Sequence, residues 1–75
     1  MNAKVIQAEL QASPFKPFAV VTASGDRYKV LHPELAVPTK LALFVFERDS
    51  NNEIDLPVKI GYPNITAIEP IEQAA

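Results

Sequence analysis

The segment Phe18–Glu34, with the sequence FAVVTASGDRYKVLHPE, decides the fold. Two runs rich in β-forming residues, Phe18–Ala23 and Arg27–Leu31, flank the tripeptide Ser24-Gly25-Asp26. A glycine beside short polar residues supplies the positive φ that a tight hairpin requires. The second run ends at His32-Pro33, where proline lacks a backbone donor and biases the histidine towards extended geometry. The segment therefore predicts a β-hairpin whose far end bends and curls the sheet towards closure.

The composition describes a small globular chain that needs support beyond its own core. The 75 residues are 48% hydrophobic and 21% charged, which predicts one domain over residues 1–75, near the lower size limit for independent folding. The absence of Cys excludes disulfides and thiolate metal sites, and a single His disfavours structural zinc. We therefore expect self-association as a homo-oligomer.

Charge and hydropathy restrict the classes of partner. The formal net charge is −2, and the seven Lys and Arg residues are scattered, which is not typical of a nucleic-acid surface. The first residues, MNAKVIQAEL, lack the apolar core and cleavage site of a secretory signal, and no apolar run reaches the ~20 residues of a membrane span. We expect a soluble, cytoplasmic protein without a membrane partner or a small-molecule substrate.

The order of elements begins with a helix and continues with strands. Asn2 is a suitable N-cap and Ser13-Pro14 a stop signal, which together predict a helix over residues 2–13. Strands are expected across residues 16–70, followed by a polar tail at 71–75. Residues 35–37 are expected to prolong the second hairpin strand beyond its bend. The apolar run LALFVF, Leu41–Phe46, predicts a strand that is covered on both faces.

The C-terminal third contains a loop, an alternating strand and a final short strand. Glu53–Ile60 alternates, with Ile54, Leu56, Val58 and Ile60 on one face, and Pro57 indicates an edge position or a bulge. Gly61–Asn64 predicts a turn that includes one turn of 3₁₀ helix, and Ile65–Glu69 predicts the last strand.

These elements predict a mostly β protein: a small, five-stranded, strongly bent antiparallel barrel with an N-terminal α-helix across one opening. An open sheet with the helix on one face is the alternative. At its margins, the strands Glu53–Ile60 and Ile65–Glu69 would present backbone groups for pairing with another chain.

The element order resembles the Sm/LSm fold, whose bacterial RNA-chaperone branch also has an N-terminal helix. The end of the chain, Ile60–Pro70, is similar to the second motif of that branch in its apolar positions. Tyr62 and Pro63 stand where that motif has its RNA-binding Lys-His pair, so the pair itself is missing. The pattern of PFKPF at 14–18, GDRY at 25–28 and HPE at 32–34 is similar to a group of short uncharacterised bacterial proteins. The Sm resemblance implies a ring of copies and weak RNA binding.

Residues that carry chemistry are few. His32 beside Glu34 is the one place for acid–base catalysis, but without a second His or a Cys we expect His32 to be structural, hydrogen-bonding backbone at the bend. The carboxylates of Asp49, Glu53 and Asp55 crowd one loop, where a solvated loop is favoured over a cation site. Isolated glycines exclude a phosphate-cradling loop. The sequence therefore predicts no enzyme, no catalytic residue, no metal and no cofactor.

Two functions stay open: an oligomeric structural or adaptor module, which is favoured, and a weak Sm-like RNA-binding protein. For RNA, the candidates are Lys40, Tyr62 and Asn64, with Tyr62 partly exposed so that its ring stacks on a base, or packed over the barrel mouth. For self-association, the candidates are Phe44 and Phe46 on a two-fold dimer face and Ile68 on a ring edge.

Overall fold

A computed structural model of the protein describes residues 1–48, 51, 53 and 56–71. The structure contains one α-helix, six strands and two 3₁₀ turns in the described part of the chain. In chain order these are α1 (Ala3–Gln11), β1 (Phe18–Thr22), β2 (Arg27–Val30), the turn Pro33–Leu35, β3 (Ala36–Pro38), β4 (Ala42–Val45), β5 (Val58–Gly61), the turn Tyr62–Asn64 and β6 (Ile65–Pro70).

The predicted N-terminal helix is confirmed, although it ends two residues before the predicted boundary. The side chain of Asn2 accepts a hydrogen bond from the Val5 amide at 3.2 Å, as an N-cap does. The helix ends at Gln11, before Pro14. Its single fully buried side chain, Ile6, docks it on the sheets, which a nine-residue helix needs for stability.

The predicted hairpin is also confirmed. The Thr22 amide donates to the Asp26 carbonyl at 2.9 Å, and the Gly25 amide donates to the Thr22 carbonyl at 2.9 Å. Gly25 has a φ of 92°, in the left-handed region that glycine enters most easily. The three-residue loop with a left-handed glycine fixes the register of β1 and β2.

The predicted five-stranded barrel is wrong. The strands form two separate antiparallel sheets, sheet A in the order β2-β1-β6 and sheet B in the order β3-β4-β5, and neither closes on itself. The alternative of one open sheet is wrong for the same reason. With its helix, the chain is a small mixed α/β structure rather than a mostly β barrel.

The physical cause lies at the bend of the hairpin. The 3₁₀ turn Pro33–Leu35 separates β2 from β3, and the Ala36 amide donates to the Pro33 carbonyl within that turn. Residues 35–37 therefore do not prolong β2, and β3 begins in sheet B. A continuous bent strand would have carried hydrogen bonds from one sheet into the other, and the turn interrupts that path.

Sheet B follows the predicted strands only in part. Leu41–Phe46 shortens to β4, with Phe44 half-buried, and Leu41 is 78% exposed in the turn that precedes it. The strand predicted from Glu53 begins at Val58 instead. Leu56, predicted on the buried face, is 84% exposed. Residues 54 and 55 lie outside the described residues.

The core lies where helix, sheet A and sheet B meet, and the predicted turn at Gly61–Asn64 and the predicted last strand are confirmed around it. Its cluster of buried side chains comprises Ile6, Phe18, Val20, Val30, Ala36, Leu43, Val45, Ile60, Tyr62 and Ile65. No helix in the described part of the chain has the length and apolar character that a membrane crossing demands.

Candidate interaction surfaces

The outer face of sheet B carries an apolar row. The strand register places Val37 opposite Phe44 and Phe44 opposite Lys59. Because side chains alternate along a strand and both neighbours of Phe44 on β4 are buried, this row lies on the outer face. Val37 is 46% exposed and Phe44 is half-buried. We call Val37 and Phe44 the outer row. The exposed Lys59 lies opposite Phe44 on β5 and borders this row.

The three residues predicted for an oligomer interface lie in different surroundings. Phe44 belongs to the outer row, and Phe46, also half-buried, follows the end of β4 on the same side. Ile68 lies in sheet A, opposite Val20, and packs against the core. A contact at the β6 edge would therefore use the backbone of Ile68 rather than its side chain.

The outer edge of β6 offers few hydrogen-bond donors. The Ile71 amide donates to the Pro17 carbonyl at 3.1 Å, so by alternation the Glu69 amide also faces β1. The Ile68 amide therefore points outwards, and Pro70, which also falls on the outer edge, has no amide hydrogen.

The edges of sheet B are limited in the same way. The Phe46 amide donates to the Leu35 carbonyl at 2.8 Å and therefore faces β3. By alternation along β4, the Leu43 amide faces β5. Leu43 pairs with Ile60, so the amide of the adjacent residue on β5, Lys59, points outwards. Pro57, two residues earlier on the same side, supplies no donor. On β3, the outward position is Pro38, again without a donor.

The outer edge of β2 differs, because it contains no proline. Amides along a hairpin strand point alternately towards the partner strand and away from it. Because Thr22 and Asp26 are a hydrogen-bonded pair, the amides of Arg27, Lys29 and Leu31 face away from β1. The Lys29 amide donates to Oε2 of Glu47 at 3.4 Å. A side-chain carboxylate thus occupies the place that a neighbouring strand's carbonyl would take.

A groove lies beside this edge, between sheet A and the end of β4. Its volume is about 340 Å³. We call it the seam groove, and its lining consists of Lys29, Leu31, His32, Leu35, Phe46, Glu47 and Arg48. Sequence reasoning missed this site. The strand alternation that buries Val30 places Leu31 on the same outward side as Lys29, and this signal could have identified it.

Tyr62 differs from the sequence-based expectation of a partly exposed ring. Its side chain is 6% exposed and belongs to the core, so that expectation is wrong. The hydroxyl donates to the Thr39 carbonyl at 2.5 Å. Burial raises the pKa of the Tyr62 phenol above its usual value, and the hydrogen bond to Thr39 opposes that shift in part. The buried ring offers no face for stacking on a base.

The other two RNA candidates are exposed but separate. Lys40 lies in the turn between β3 and β4, and Asn64 ends the second 3₁₀ turn, where its carbonyl accepts the Ala23 amide at 2.8 Å. Asn64 also lines a pocket of about 330 Å³ beside the hairpin turn, together with Lys59.

The hydroxyl groups of that pocket are bonded to one another. Thr22 Oγ1 and Ser24 Oγ lie 2.9 Å apart, and Ser24 donates to Oδ2 of Asp26 at 3.0 Å. The bonds stabilise the turn and leave neither hydroxyl paired with a histidine base. His32 is exposed and makes no cap hydrogen bond to its turn, so the predicted bond is absent there. The Leu35 amide donates to the His32 carbonyl at 3.0 Å and holds the bend instead.

No cluster of three His, Cys, Asp or Glu residues suited to a metal ion occurs within residues 1–48, 51, 53 and 56–71. Glu53 is exposed, whereas Asp49 and Asp55, which the sequence places in the same carboxylate loop, lie outside the described residues.

Comparisons with known proteins add no relative from which a function could be transferred. No family model, no curated protein and no solved structure matches this chain significantly. A function must therefore be inferred from the surfaces of the chain itself.

Proposed function

We propose that the protein is a non-catalytic structural or adaptor module of the cytoplasm that self-associates through the outer row of sheet B. The observation that carries this proposal is the position of Val37 and Phe44. They lie opposite each other on paired strands, on the outer face, with a packed core behind them. An aromatic ring that is only half covered within one chain gains stability when a second copy covers it.

A second copy is the occupant that the chain's size favours. A core of this size rarely contributes more than about 3–5 kcal/mol of net stability without disulfides or a metal. The chain has 75 residues and no Cys. A patch on one face can meet its own copy across a two-fold axis, because such an interface needs only one self-complementary surface.

The edges favour this face-to-face contact over a ring of paired strands. A ring would join the outer edges of β5 and β6. Pro57 and Pro70 withhold donors there, and the charged Lys59 lies on the same β5 edge. Prolines and lysines at an edge are the features by which natural sheets avoid pairing with another chain.

Sedimentation equilibrium tests the proposal. The monomer mass is 8.2 kDa. We expect about twice that mass at a protein concentration of tens of micromolar, on the order of the dissociation constant of a small interface. Phe44→Asp and Val37→Asp should each return the protein to a monomer, because each buries an unpaired carboxylate in the contact. Val37→Asp is the safer variant for folding, since Val37 is 46% exposed.

Lys59→Pro is the matched control. It removes the outward amide of β5 without breaking the ladder to β4, and the dimer should survive it. Loss of the oligomer with Lys59→Pro but not with Val37→Asp would show a ring of paired edges instead. A wild-type protein that stays monomeric would refute self-association. Circular dichroism establishes that each variant remains folded.

The alternative, weak binding of RNA, has less support. Lys40 and Asn64 are exposed, but the ring of Tyr62 is buried. Fluorescence anisotropy with a single-stranded oligouridylate at low salt separates the two functions. Salt-dependent binding that is lost with Lys40→Glu would favour RNA, because phosphate contacts release counterions.

A further inference from the structure

We propose that the seam groove binds an extended peptide, which adds an antiparallel strand to the outer edge of β2 and carries a hydrophobic residue two positions before an acidic residue. The lining of this groove includes neither Val37 nor Phe44 of the outer row, and the proposal does not depend on self-association. Addition of a strand to a sheet edge combines backbone hydrogen bonds with side-chain pockets. Both features occur at β2.

The backbone part of the site is the edge itself. Arg27, Lys29 and Leu31 direct their amides and carbonyls away from β1, and no proline interrupts them before Pro33. With Leu31, the residue after β2, the edge corresponds to roughly 16 Å of extended chain. Pro38, Pro57 and Pro70 weaken the outer edges of sheet B and of β6. An added strand therefore finds its most complete set of partners at β2.

The Glu47 carboxylate lies where a carbonyl of the added peptide strand would lie. It accepts the Lys29 amide at 3.4 Å, whereas a typical bond between an amide and an oxygen is about 2.7–3.2 Å long. The bond is long and lies at an exposed edge, so a peptide carbonyl can replace the carboxylate at little cost.

The groove supplies an apolar floor next to these donors. Leu31 is 39% exposed, Phe46 is half-buried and Leu35 is buried beneath them. A hydrophobic side chain of the peptide would cover Leu31 and Phe46 and so remove apolar surface from water.

The register determines the peptide pattern. Lys29 and Leu31 lie on the same side of β2, two residues apart. In an antiparallel pair, the residue opposite Leu31 precedes the residue opposite Lys29 by two positions. An acidic residue suits the exposed ammonium group of Lys29, and opposite charges directly across a ladder stabilise it. The expected pattern is hydrophobic, any residue, acidic.

Charge also argues against a second copy of this chain as the occupant. Pairing of β2 with another β2 about Lys29 would place two lysines opposite each other, with Arg27 and Leu31 flanking them on either side. Like charges directly opposite destabilise a ladder. An acidic peptide meets the same edge with complementary charge.

The probe is a fluorescein-labelled pentapeptide amide, Thr-Leu-Thr-Glu-Thr, and fluorescence anisotropy measures its binding to the full chain. We expect saturable binding with a Kd in the range of about 10–500 μM, as suits a short edge contact. Lys29→Glu should weaken binding at least about tenfold, and a probe with Lys in place of Glu should restore it. Lys4→Glu, which changes the same charge on the exposed face of α1, is the matched control.

Two further measurements test the geometry. Glu47→Ala frees the Lys29 amide and should strengthen binding, while N-methylation of the probe's Glu should abolish it. In NMR spectra, the probe should shift the backbone amide resonances of Arg27, Lys29 and Leu31. Absence of saturable binding up to about 1 mM would overturn the proposal, as would shifts confined to β5 or β6. Val37→Asp should bind the probe normally, which separates this outcome from a failure of self-association.

Discussion

The hydroxyl of Tyr62 donates a hydrogen bond to the carbonyl oxygen of Thr39 at 2.5 Å. Tyr62 begins the 3₁₀ turn through which the chain passes from sheet B to sheet A, and Thr39 lies in the turn between β3 and β4. Gly61, which precedes Tyr62, pairs with Ala42, and the Thr39 amide donates to the Ala42 carbonyl. The bond therefore joins the β5 and β3 sides of sheet B at the end where the chain crosses to sheet A. A residue that the sequence marks as a possible RNA contact has a structural role.

Tyr62→Phe should destabilise the fold by about 1 kcal/mol, because it deletes one hydrogen bond from a ring that is otherwise well packed. Urea denaturation followed by circular dichroism measures the change. Tyr28→Phe is the matched control, since Tyr28 is half-buried and its hydroxyl makes no hydrogen bond with another described residue. Equal losses in the two variants would contradict the role assigned to the Tyr62 bond.

The stability should fall in alkaline solution because of Tyr62. Burial raises the pKa of the Tyr62 phenol in the folded protein above the ordinary value of 10.0, while the bond to Thr39 acts in the opposite direction. The neutral phenol therefore stabilises the fold fully below the unfolded pKa, and this contribution is lost as the pH rises through the folded pKa. Unfolding free energies of the wild type should decline more steeply above pH 10.0 than those of Tyr62→Phe. Parallel curves would disprove the assignment.

Gly25→Ala should destabilise the hairpin by roughly 1–2 kcal/mol, the cost of a left-handed conformation for an L-residue. A β-carbon at Gly25 would meet no atom within 4 Å, so the loss would come from the backbone alone, at a φ of 92°. Gly61→Ala is the contrast, because Gly61 has a φ of −65° and its nearest neighbour would lie at 3.8 Å. Thermal unfolding should show Gly61→Ala to be neutral or slightly stabilising.

Ile6→Ala should cost about 2–5 kcal/mol, because it removes a fully buried side chain and leaves a cavity under the helix. Val5→Ala, one residue earlier and 43% exposed, should change stability far less. Urea denaturation compares the two. If both substitutions had the same small effect, α1 could not be docked through Ile6.

Local features of the fold could be predicted from the sequence, and the connection between its parts could not. The N-cap at Asn2, the hairpin at Gly25 and the turn at Tyr62 each depend on residues a few positions apart, so their chemistry is visible in the sequence. Whether the sheet closes depends on how the chain continues after Pro33. The His-Pro pair is compatible with a bent strand and with a 3₁₀ turn. Which of the two forms depends on how strands distant in the sequence pair with each other.

The candidate surfaces show the same division. Phe44 could be proposed from the sequence because it lies in an apolar run, and the structure places it half-buried on the outer face of β4. Its role in an interface stays a prediction. The seam groove was missed, because its central bond joins Lys29 to Glu47, 18 positions apart in the chain. Leu56 shows the opposite error, where a regular alternation predicted burial for a side chain that is 84% exposed.

The placement of the prolines has a consequence for stoichiometry. A filament of added strands needs two open ends on every unit, one that receives and one that is received. Pro38 in β3, Pro70 in β6 and Pro57 immediately before β5 impair three of the four outer edges of the described sheets, whereas no proline lies within β2 or directly beside it. A molecule that has accepted a strand at β2 has no second edge that binds a further strand equally well. Growth should therefore stop after one addition, and crowded solutions of this chain should resist fibre formation.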